Sequence, residues 1–270
     1  MCVIVAGAGG GIGRAVVAQL HERDIDVVGL DIDGTALDSL PQAIETKQVD
    51  LRDSVAVREA VDAIEPYAVI SCVGWYQLGA LEECSPAELS RHLEANLVAV
   101  HTLVQATLPT LRERGGRIVI VGSMAGAVPL PYHGAYSTAK AGLAGYADAL
   151  RREVGPCGVS VSLVEPGPVQ TGLNERAAEN LRKKDDSPYA EEYRSFDGYG
   201  PRSTDVETVA TTVVDATCAV SPNARYRVGA RARWLPRLQW LLPSAWFDRL
   251  IRLGLPSGIL GKLIDGNWRR

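Results

Sequence analysis

Two side chains that could move a proton stand four residues apart in the stretch AVPLPYHGAYSTAKAG, which runs from Ala127 to Gly142. Tyr136 and Lys140 would share one face of a helix, because residues at i and i+4 are neighbours on a helix surface. An ammonium group beside a phenol favours the phenolate, so we expect Lys140 to lower the pKa of Tyr136. A tyrosine with a lowered pKa can act as a general base near neutral pH. This spacing also arises by chance, so its meaning depends on the rest of the chain.

Short apolar runs alternate with helical patterns along the whole chain. This alternation predicts crossover connections and an α/β fold, in which a doubly wound parallel sheet of about seven strands carries helices on both faces. The predicted strands are Cys2–Ala6, Val27–Asp31, Lys47–Leu51, Ala68–Val73, Arg117–Gly122, Val159–Glu165 and Tyr226–Gly229. The predicted helices are Ile12–Arg23, Ser54–Ile64, Pro86–Arg114, Tyr136–Val154 and Asp205–Ala219.

The composition is that of a globular protein with a single domain. The chain has 270 residues, of which 46% are hydrophobic and 22% are charged, which argues against disorder. Its five cysteines are scattered, with neither a C-x-x-C pair nor a histidine cluster beside them, so we expect reduced thiols and no metal site. The opening MCVIVAGAGG lacks the basic start of a signal peptide, and we expect a cytoplasmic protein.

A glycine-rich turn, AGAGGGIGRA, follows the first predicted strand. Gly7, Gly11 and Gly13 would let the backbone turn tightly and approach a ligand without a Cβ clash. The helix predicted from Ile12 would direct its free N-terminal amides at that turn, which suits a pyrophosphate. A tight strand-to-helix connection is the alternative, but the place after the first strand favours nucleotide binding.

Asp31 ends the second predicted strand, 18 residues after Gly13. A carboxylate at this place would accept hydrogen bonds from the adenosine ribose and would repel a 2′-phosphate. Neither Gly10 nor Ile32 supplies a cation for that phosphate, so we predict NAD rather than NADP as the cofactor. Asp33 is predicted to cap the following helix.

The glycine spacing G-x-x-x-G-x-G, together with Tyr136 and Lys140, resembles the short-chain dehydrogenase/reductase family in its single-domain form. The resemblance extends from Cys2 to about Gly229. It implies a Rossmann-type fold and hydride transfer to or from a nicotinamide cofactor. It also implies a homodimer or homotetramer, whose subunits pair through the helices predicted at Pro86–Arg114 and Tyr136–Val154.

Two further residues match the family's catalytic set. Ser123 lies 13 residues before Tyr136, and Asn96 lies 27 residues before Ser123. The resemblance implies that Tyr136 is the general base or acid, while Ser123 stabilises charge on the substrate oxygen. It also implies that Lys140 grips the nicotinamide ribose and that Asn96 holds a water linking Lys140 to solvent. Each residue alone has a structural alternative, such as a turn former or a packing group.

The resemblance also implies contacts with the cofactor outside the glycine-rich turn. The segment VEPGPVQT would lie beside the nicotinamide, with Thr171 at the carboxamide, and the turn at Asp50 and Leu51 would contact the adenine. The predicted cofactor-binding residues are Gly7, Gly11, Ile12, Gly13, Asp31, Asp50, Leu51, Gly74, Tyr136, Lys140, Pro166, Gly167, Val169 and Thr171.

The chain departs from the family pattern at the junction of two strands. Ala6 stands where the family usually has threonine, and Ser71–Gly74 (SCVG) replaces the usual Asn-Asn-Ala-Gly. Losing the polar groups on both sides could be nearly neutral, whereas losing one leaves a buried partner unsatisfied. We expect normal cofactor binding with different packing beneath the adenine.

Two residues beside Tyr136 are predicted to have no catalytic role. Tyr132 has a tyrosine rather than a lysine four residues later, and we interpret it as pocket wall or loop packing. His133 is predicted to be a solvated loop histidine rather than a proton donor.

We divide the chain into a dehydrogenase domain at 1–230 and a C-terminal extension at 231–270 packed on it. The domain includes a charged substrate loop at 172–204, for which a mobile lid and a plain solvated loop both remain open. From Arg225 onward, nine arginines and one lysine face two aspartates, and four of the five tryptophans fall in the last 40 residues.

The extension allows two interpretations. Trp246, Phe247, Leu250 and Ile251 are predicted to form one apolar helix face. That face would cover the substrate pocket or a neighbouring subunit; alternatively, a basic tryptophan-rich segment would lie on an anionic membrane surface, giving a peripherally membrane-associated protein. Tryptophan and leucine interleaved with arginine fit an apolar surface better than a phosphate track, so we predict no nucleic-acid partner.

This tail and the wording EPGPV look most like the hydroxysteroid and retinol dehydrogenase branch. We therefore predict an NAD-dependent oxidoreductase that interconverts a lipophilic secondary alcohol and its ketone. One alternative is an NADPH-dependent reductase of a 3-oxoacyl thioester or another carbonyl compound, against which Asp31 argues. Another is a scaffold that senses NAD without turnover, for which the four catalytic residues would have no purpose.

Overall fold

The computed structural model describes residues 1–171, 177, 181, 186–196, 204–255 and 257. The strands within these residues are β1 Cys2–Ala6, β2 Asp26–Asp31, β3 Glu45–Gln48, β4 Ala68–Ser71, β5 Arg117–Val121, β6 Ser160–Pro166 and β7 Arg225–Val228. All pair in parallel as one sheet in the order β3-β2-β1-β4-β5-β6-β7. The predicted doubly wound α/β fold is confirmed, with strand ends displaced by one to three residues.

Helices cover both faces of this sheet. They are α1 Gly11–His21, α2 Gly34–Asp38, α3 Ser54–Val61, α4 Pro86–Leu93, α5 Ala99–Arg114, α6 Gly134–Val154, α7 Ala190–Ser195, α8 Val206–Cys218, α9 Ala230–Leu241 and α10 Ser244–Gly254. The helix predicted at Pro86–Arg114 consists of α4 and α5 joined by the π turn Glu94–Val98. Ser85 begins it with a capping box, in which its hydroxyl and the Glu88 carboxylate satisfy each other's backbone amides.

An apolar layer lies on each face of the sheet, between the strands and the helices. On one face, Val16 of α1 and Val213 of α8 belong to the same buried cluster. On the other face, Leu103 of α5 and Leu143 of α6 belong to a second cluster with α3. A strand buried on both faces is a nearly continuous run of apolar residues such as Val and Ile. Such runs could therefore be recognised as strands in the sequence.

The topology places a crevice at the carboxyl ends of β1 and β4. The chain runs from β1 outward to β3 and then returns to add β4 on the other side of β1. At such a switch point the following loops diverge and leave room for a ligand. The glycine-rich turn after β1 and the segment after β4 therefore face the same opening.

The C-terminal region adds α9 and α10 after β7. Two helices, α7 and α9, lie outside those predicted from the sequence, whereas α2 is the helix that Asp33 was predicted to cap. Most of the substrate loop predicted at 172–204 lies outside the described residues, and so does Trp268 of the extension. None of the described helices combines the length and apolar character that a membrane span requires.

Candidate active site

Ser123 lies at the carboxyl edge of the sheet, immediately after β5. It begins the single turn Met124–Gly126, and its Oγ accepts a hydrogen bond from the Ala125 amide at 3.1 Å. The hydroxyl also lies close enough to the phenol of Tyr136 in α6 to lower the pKa of that phenol. The end of a strand and the start of a helix therefore hold the two oxygen atoms together.

Lys140 lies one turn after Tyr136 in α6, with its Nζ 5.8 Å from the centre of the tyrosine ring. The buried Nζ donates hydrogen bonds to the carbonyl of Val73 at 3.4 Å and to that of Val121 at 3.3 Å. Val73 follows the end of β4 by two residues, and Val121 is the last residue of the neighbouring strand β5. The sheet edge thus fixes the ammonium beside the phenol, as the i, i+4 spacing predicts.

Burial dominates the ionisation of this pair. Loss of water raises the pKa of Tyr136 to about 12, although the nearby Ser123 hydroxyl opposes the rise. Burial also lowers the pKa of Lys140 to about 8. The expectation that Lys140 and the positive nicotinamide ring together lower the pKa of Tyr136 stays a prediction. The phenol holds its proton at neutral pH.

Asn96 lies in the π turn between α4 and α5 and is fully buried. Its Nδ2 donates to the carbonyls of Trp75 at 2.8 Å and His92 at 3.0 Å, and its Oδ1 accepts from the Trp75 amide at 3.2 Å. The amide thereby fixes the chain that follows β4. A Cβ on Gly74 would lie 3.5 Å from Asn96 Oδ1 and 3.7 Å from Lys140 Nζ, so the structure brings these residues together. The water predicted at Asn96 stays a prediction.

The glycine-rich turn packs too closely for side chains at two positions. Gly7 has a φ of +75°, and a Cβ there would lie 2.9 Å from the backbone of Cys72. A Cβ on Gly13 would lie 1.9 Å from the Gly7 carbonyl. Helix α1 begins in this turn with neither a side-chain cap nor an acidic residue in its first turn, so its amides suit a cofactor phosphate. Thr171 lies against Gly11, which brings the predicted nicotinamide segment to the same turn.

A cavity of about 530 Å³ connects the glycine-rich turn with Tyr136. This volume lies within the range of about 300–1,000 Å³ that small-molecule sites occupy. Its polar groups include Ser123, Tyr136 and Lys140. The apolar part of its lining is made by Tyr76, Leu78, Leu130, Phe196, Leu235, Leu238, Leu250, Ile251 and Leu255. Helices α9 and α10 therefore form a roof opposite the catalytic groups.

The model of the short chain dehydrogenase family matches residues 1–182 of the chain. The chain belongs to this family.

Relatives over the whole length agree. The chain is 32% identical over 261 residues to a probable short-chain type dehydrogenase/reductase, VdlC, of Helicobacter pylori, covering 93% of this chain and 96% of the relative. It is 30% identical over 265 residues to human 17-beta-hydroxysteroid dehydrogenase type 1, covering 89% and 80%. A short chain dehydrogenase from Burkholderia cenocepacia, crystallised with NADP, shares the fold with a TM-score of 0.78 at 21% identity, covering 92% and 96%. This short-chain dehydrogenase is therefore an NAD(P)-dependent oxidoreductase.

The acidic residues predicted at the adenosine end of this short-chain dehydrogenase are all engaged in hydrogen bonds. Asp31 accepts from the amides of Gly9 at 2.9 Å and Asp33 at 3.0 Å, so its carboxylate lies against the glycine-rich turn. Asp33 caps α2, as predicted. Asp50 holds Arg52 in a two-point ion pair, which lowers the carboxyl pKa through that hydrogen bond. Leu51 is buried beside it in the apolar layer.

Arg14 is a neighbour of Asp31 that the sequence analysis missed. Its Nη2 donates to the carbonyl of Gly9 at 3.2 Å, while the Gly9 amide donates to Asp31. The turn therefore contains a cation, although the two positions considered for one, Gly10 and Ile32, have none. Its position directly after Gly13 was the available signal.

The departure from the family pattern at β1 and β4 leaves one polar group without a partner. Ser71 pairs with Ala6 across the parallel strands, and its buried Oγ makes no hydrogen bond. Of the two outcomes left open by the sequence, the structure shows the one-sided loss. Cys72 is half-buried beside this junction, and loss of water raises the pKa of its thiol to about 12.

The surroundings of Tyr136 differ in part from those predicted. His133 lies in the loop before α6, as predicted, but it is half-buried and lines the cavity. Its Nδ1 donates to the Pro131 carbonyl at 2.8 Å and burial lowers its pKa, which leaves a neutral ring. Tyr76, missed by the sequence analysis, packs on Tyr136 with ring centres 4.7 Å apart. Tyr132 packs among loop aromatics, as predicted.

The predicted apolar face of α10 is only partly correct. Leu250 and Ile251 line the cavity and Phe247 is buried, but Trp246 is 72% exposed. With 100° between successive residues of a helix, Trp246 lies at the edge of the arc that the other three share. Trp246 was assigned to this face because it is apolar. The surface against which α10 packs does not extend to Trp246.

Proposed function

We propose that this short-chain dehydrogenase reduces lipophilic ketones, and oxidises the corresponding secondary alcohols, with NAD(H). The observation that carries the proposal is the cavity, in which Ser123 and Tyr136 face leucines of α9 and α10. Such a lining favours an apolar substrate body with one oxygen at the catalytic groups. The similarity to human 17-beta-hydroxysteroid dehydrogenase type 1 supports a lipophilic substrate.

The cofactor would occupy the part of the cavity lined by the glycine-rich turn and by Pro166, Gly167, Val169 and Thr171. When bound, the nicotinamide supplies hydride to the carbonyl carbon or accepts it from the alcohol carbon. The uncapped start of α1 would hold the phosphates. We assign Lys140 to the nicotinamide ribose because its Nζ is fixed at the ends of β4 and β5.

Tyr136 supplies the proton in the reductive direction. The substrate oxygen accepts a hydrogen bond from the Ser123 hydroxyl and takes the proton of the Tyr136 phenol as the alcohol forms. The phenol begins protonated, because burial raises its pKa to about 12. Lys140 stabilises the phenolate that results. In the oxidative direction the same phenolate takes the proton of the alcohol.

Oxidation of NADH with a panel of ketones tests this function. We expect steroid-sized and long-chain ketones to give higher kcat/KM values than short hydrophilic ketones. The opposite order would contradict a lipophilic substrate. Tight NADH binding without turnover of any ketone or alcohol would favour the scaffold that senses the cofactor.

We propose NAD over NADP because of Asp31. A ribose 2′-phosphate would have to approach a carboxylate that lies against Gly9, although Arg14 offers a cation in the same turn. A protein of the same fold was crystallised with NADP, so the cofactor preference of this chain has to be measured. We expect the wild type to prefer NADH, and Asp31→Asn to improve kcat/KM for NADPH at least tenfold relative to NADH. A wild type that prefers NADPH would contradict the assignment.

We propose that subunits pair through α5 and α6. Helix α6 exposes the small residues Ala141, Gly142 and Gly145, and a Cβ on Gly145 would meet no atom within 4 Å. Small residues allow close approach of a second helix. Light scattering should show a dimer or tetramer that Gly145→Glu dissociates. An unchanged mass for the variant would exclude this interface.

We also propose peripheral contact with anionic membranes through the outer side of the roof. Trp234, Trp240, Leu241 and Trp246 are between 61% and 85% exposed, and the Arg237 guanidinium lies 5.1 Å from the centre of the Trp234 ring. Exposed tryptophan with arginine suits the headgroup region of an anionic bilayer. Vesicles rich in phosphatidylserine should bind the wild type more than Trp240→Ser. Equal binding of both proteins would contradict this contact.

A further inference from the structure

Arg231 is a half-buried cation on the wall of the cavity. In the described part of the chain it makes no hydrogen bond or ion pair, unlike the arginines around it. Arg225 and Arg227 share the carboxylate of buried Glu165 at 2.6 and 3.2 Å. Arg233 donates to the carbonyl of Arg227 at 3.2 Å. Of these four arginines, Arg231 is the one that lines the cavity.

The described lining of the cavity offers Arg231 no compensating negative charge. Among the described residues that line the cavity, the charged ones are Lys140 and Arg231, and both are cationic. Two backbone carbonyls already hold Lys140. Arg231 also stands in the first turn of α9, where the helix dipole disfavours a cation and where this helix carries no acidic residue. The cavity therefore has an uncompensated positive potential at this point.

The residues next to Arg231 on the same helix are apolar. Leu235 and Leu238 continue the lining from Arg231 along α9. A cation beside such side chains is costly unless an anion pairs with it. A guanidinium presents a planar fork of donors that matches a carboxylate, sulfate or phosphate at two points.

The position of Arg231 distinguishes the substrate end from the phosphate end of the cavity. A Cβ on Gly167 would lie 3.8 Å from the amide nitrogen of Ala232 and 3.9 Å from Met124 Sδ. The start of α9 thus adjoins the turn after Ser123. The amides assigned to the cofactor phosphates belong to α1 instead.

We propose that Arg231 binds an anionic oxygen group of the substrate, so that the preferred substrate is a lipophilic oxo or hydroxy acid rather than a neutral alcohol. This inference rests on the proposed function and specifies its substrate class. The leucines of the roof bind the apolar chain, Tyr136 and Ser123 bind the reacting oxygen, and Arg231 binds the anion.

Calorimetry on the NADH-loaded protein tests the site without turnover. Decanoate and decanol share an apolar chain and differ in charge. Decyl phosphate is a third ligand, with a phosphate in place of the carboxylate. We expect decanoate to bind at least tenfold more tightly than decanol in the wild type. Arg231→Gln should abolish this difference, Arg231→Lys should restore part of it, and Arg233→Gln is the matched control because this exposed arginine lies on the same helix.

Three results would overturn the proposal. They are equal affinities for decanoate and decanol in the wild type, an equal loss of decanoate binding in the Arg231→Gln and Arg233→Gln variants, and weakened NADH binding in Arg231→Gln. A parallel assay of neutral ketone reduction separates this inference from the proposed function. Turnover of 2-dodecanone without any preference for anions leaves the function standing and removes the anion site. If decanoate binding depends on Arg231 but no ketone is turned over, the anion site is supported and the proposed function is removed.

Discussion

The floor and the roof of the cavity are built differently. The floor consists of Ser123, Tyr136 and Lys140, with the fully buried Asn96 behind them. Backbone groups bind the side chains of Asn96, Ser123 and Lys140. The roof, made by α9 and α10, contributes leucines and Arg231, which has no hydrogen-bond or ion-pair partner among the described residues. Backbone partners fix the geometry that proton transfer needs, whereas apolar side chains can change without unsatisfying a buried polar group. We infer that the floor performs the reaction and that the roof selects the substrate.

Removing the phenol should have the largest effect on activity. Tyr136→Phe deletes the proton donor while keeping the ring that packs on Tyr76. General acid–base catalysis contributes roughly 10²–10⁴ in rate, so we expect kcat to fall by about 10³. Rapid kinetics of NADH oxidation with a lipophilic ketone would measure the loss.

Tyr132→Phe is the matched control, because this tyrosine packs among loop aromatics rather than beside Ser123. Its kcat should stay within threefold of the wild type. Comparable losses in both variants would mean that the tyrosines act through packing and would remove Tyr136 from its proposed role.

A pH profile should reveal the charge of Lys140. Burial lowers its pKa to about 8, so the ammonium loses its proton as pH rises through that value. Ketone reduction leaves a phenolate on Tyr136 that the ammonium stabilises, so kcat/KM for reduction should be flat below pH 8 and should fall above it. Lys140→Arg keeps the charge at high pH and should abolish this fall, although with a lower rate. A wild-type profile that stays flat to pH 10 would show that this charge does not matter.

The smallest predicted effect is on stability. It concerns the Ser71 hydroxyl, which has no hydrogen-bond partner among the described residues. Ser71→Ala removes a buried group without a partner, which costs about 1–3 kcal/mol when left unsatisfied. We expect the free energy of unfolding to rise by about 1 kcal/mol and Tm by ~2 °C. Ser162→Ala is the control, because its buried Oγ donates to the Asn223 carbonyl at 2.7 Å and its loss should destabilise the fold. Destabilisation by both variants would indicate that Ser71 is satisfied in solution.

The floor was predictable from the sequence because its spacing is dictated by regular elements. Tyr136 and Lys140 lie one turn apart on α6, and Ser123 follows a strand whose Val and Ile residues show that it is buried on both faces. The ionisation of Tyr136 was not predictable. It depends on how completely the folded chain removes water from the phenol, and spacing carries no information about that.

The roof was harder to predict because its pattern is mixed. Helix α9 contains Pro236 and begins without a side-chain cap, so it lacks the usual start signal of a helix. Trp246 and Phe247 are adjacent and equally apolar in the sequence, yet they separate into an exposed and a buried residue. The orientation of Arg231 likewise depends on where α9 lies over the sheet.

The separation of reaction from selection is best tested with Leu238→Ala in the roof. Shortening this leucine removes apolar contact with a long substrate, which should lower kcat/KM for 2-dodecanone about tenfold, given ~0.8 kcal/mol for each buried methylene. The value for 2-butanone, which is too short to need the roof, should stay within twofold of the wild type. Equal losses for both ketones would contradict the assignment of separate roles to floor and roof.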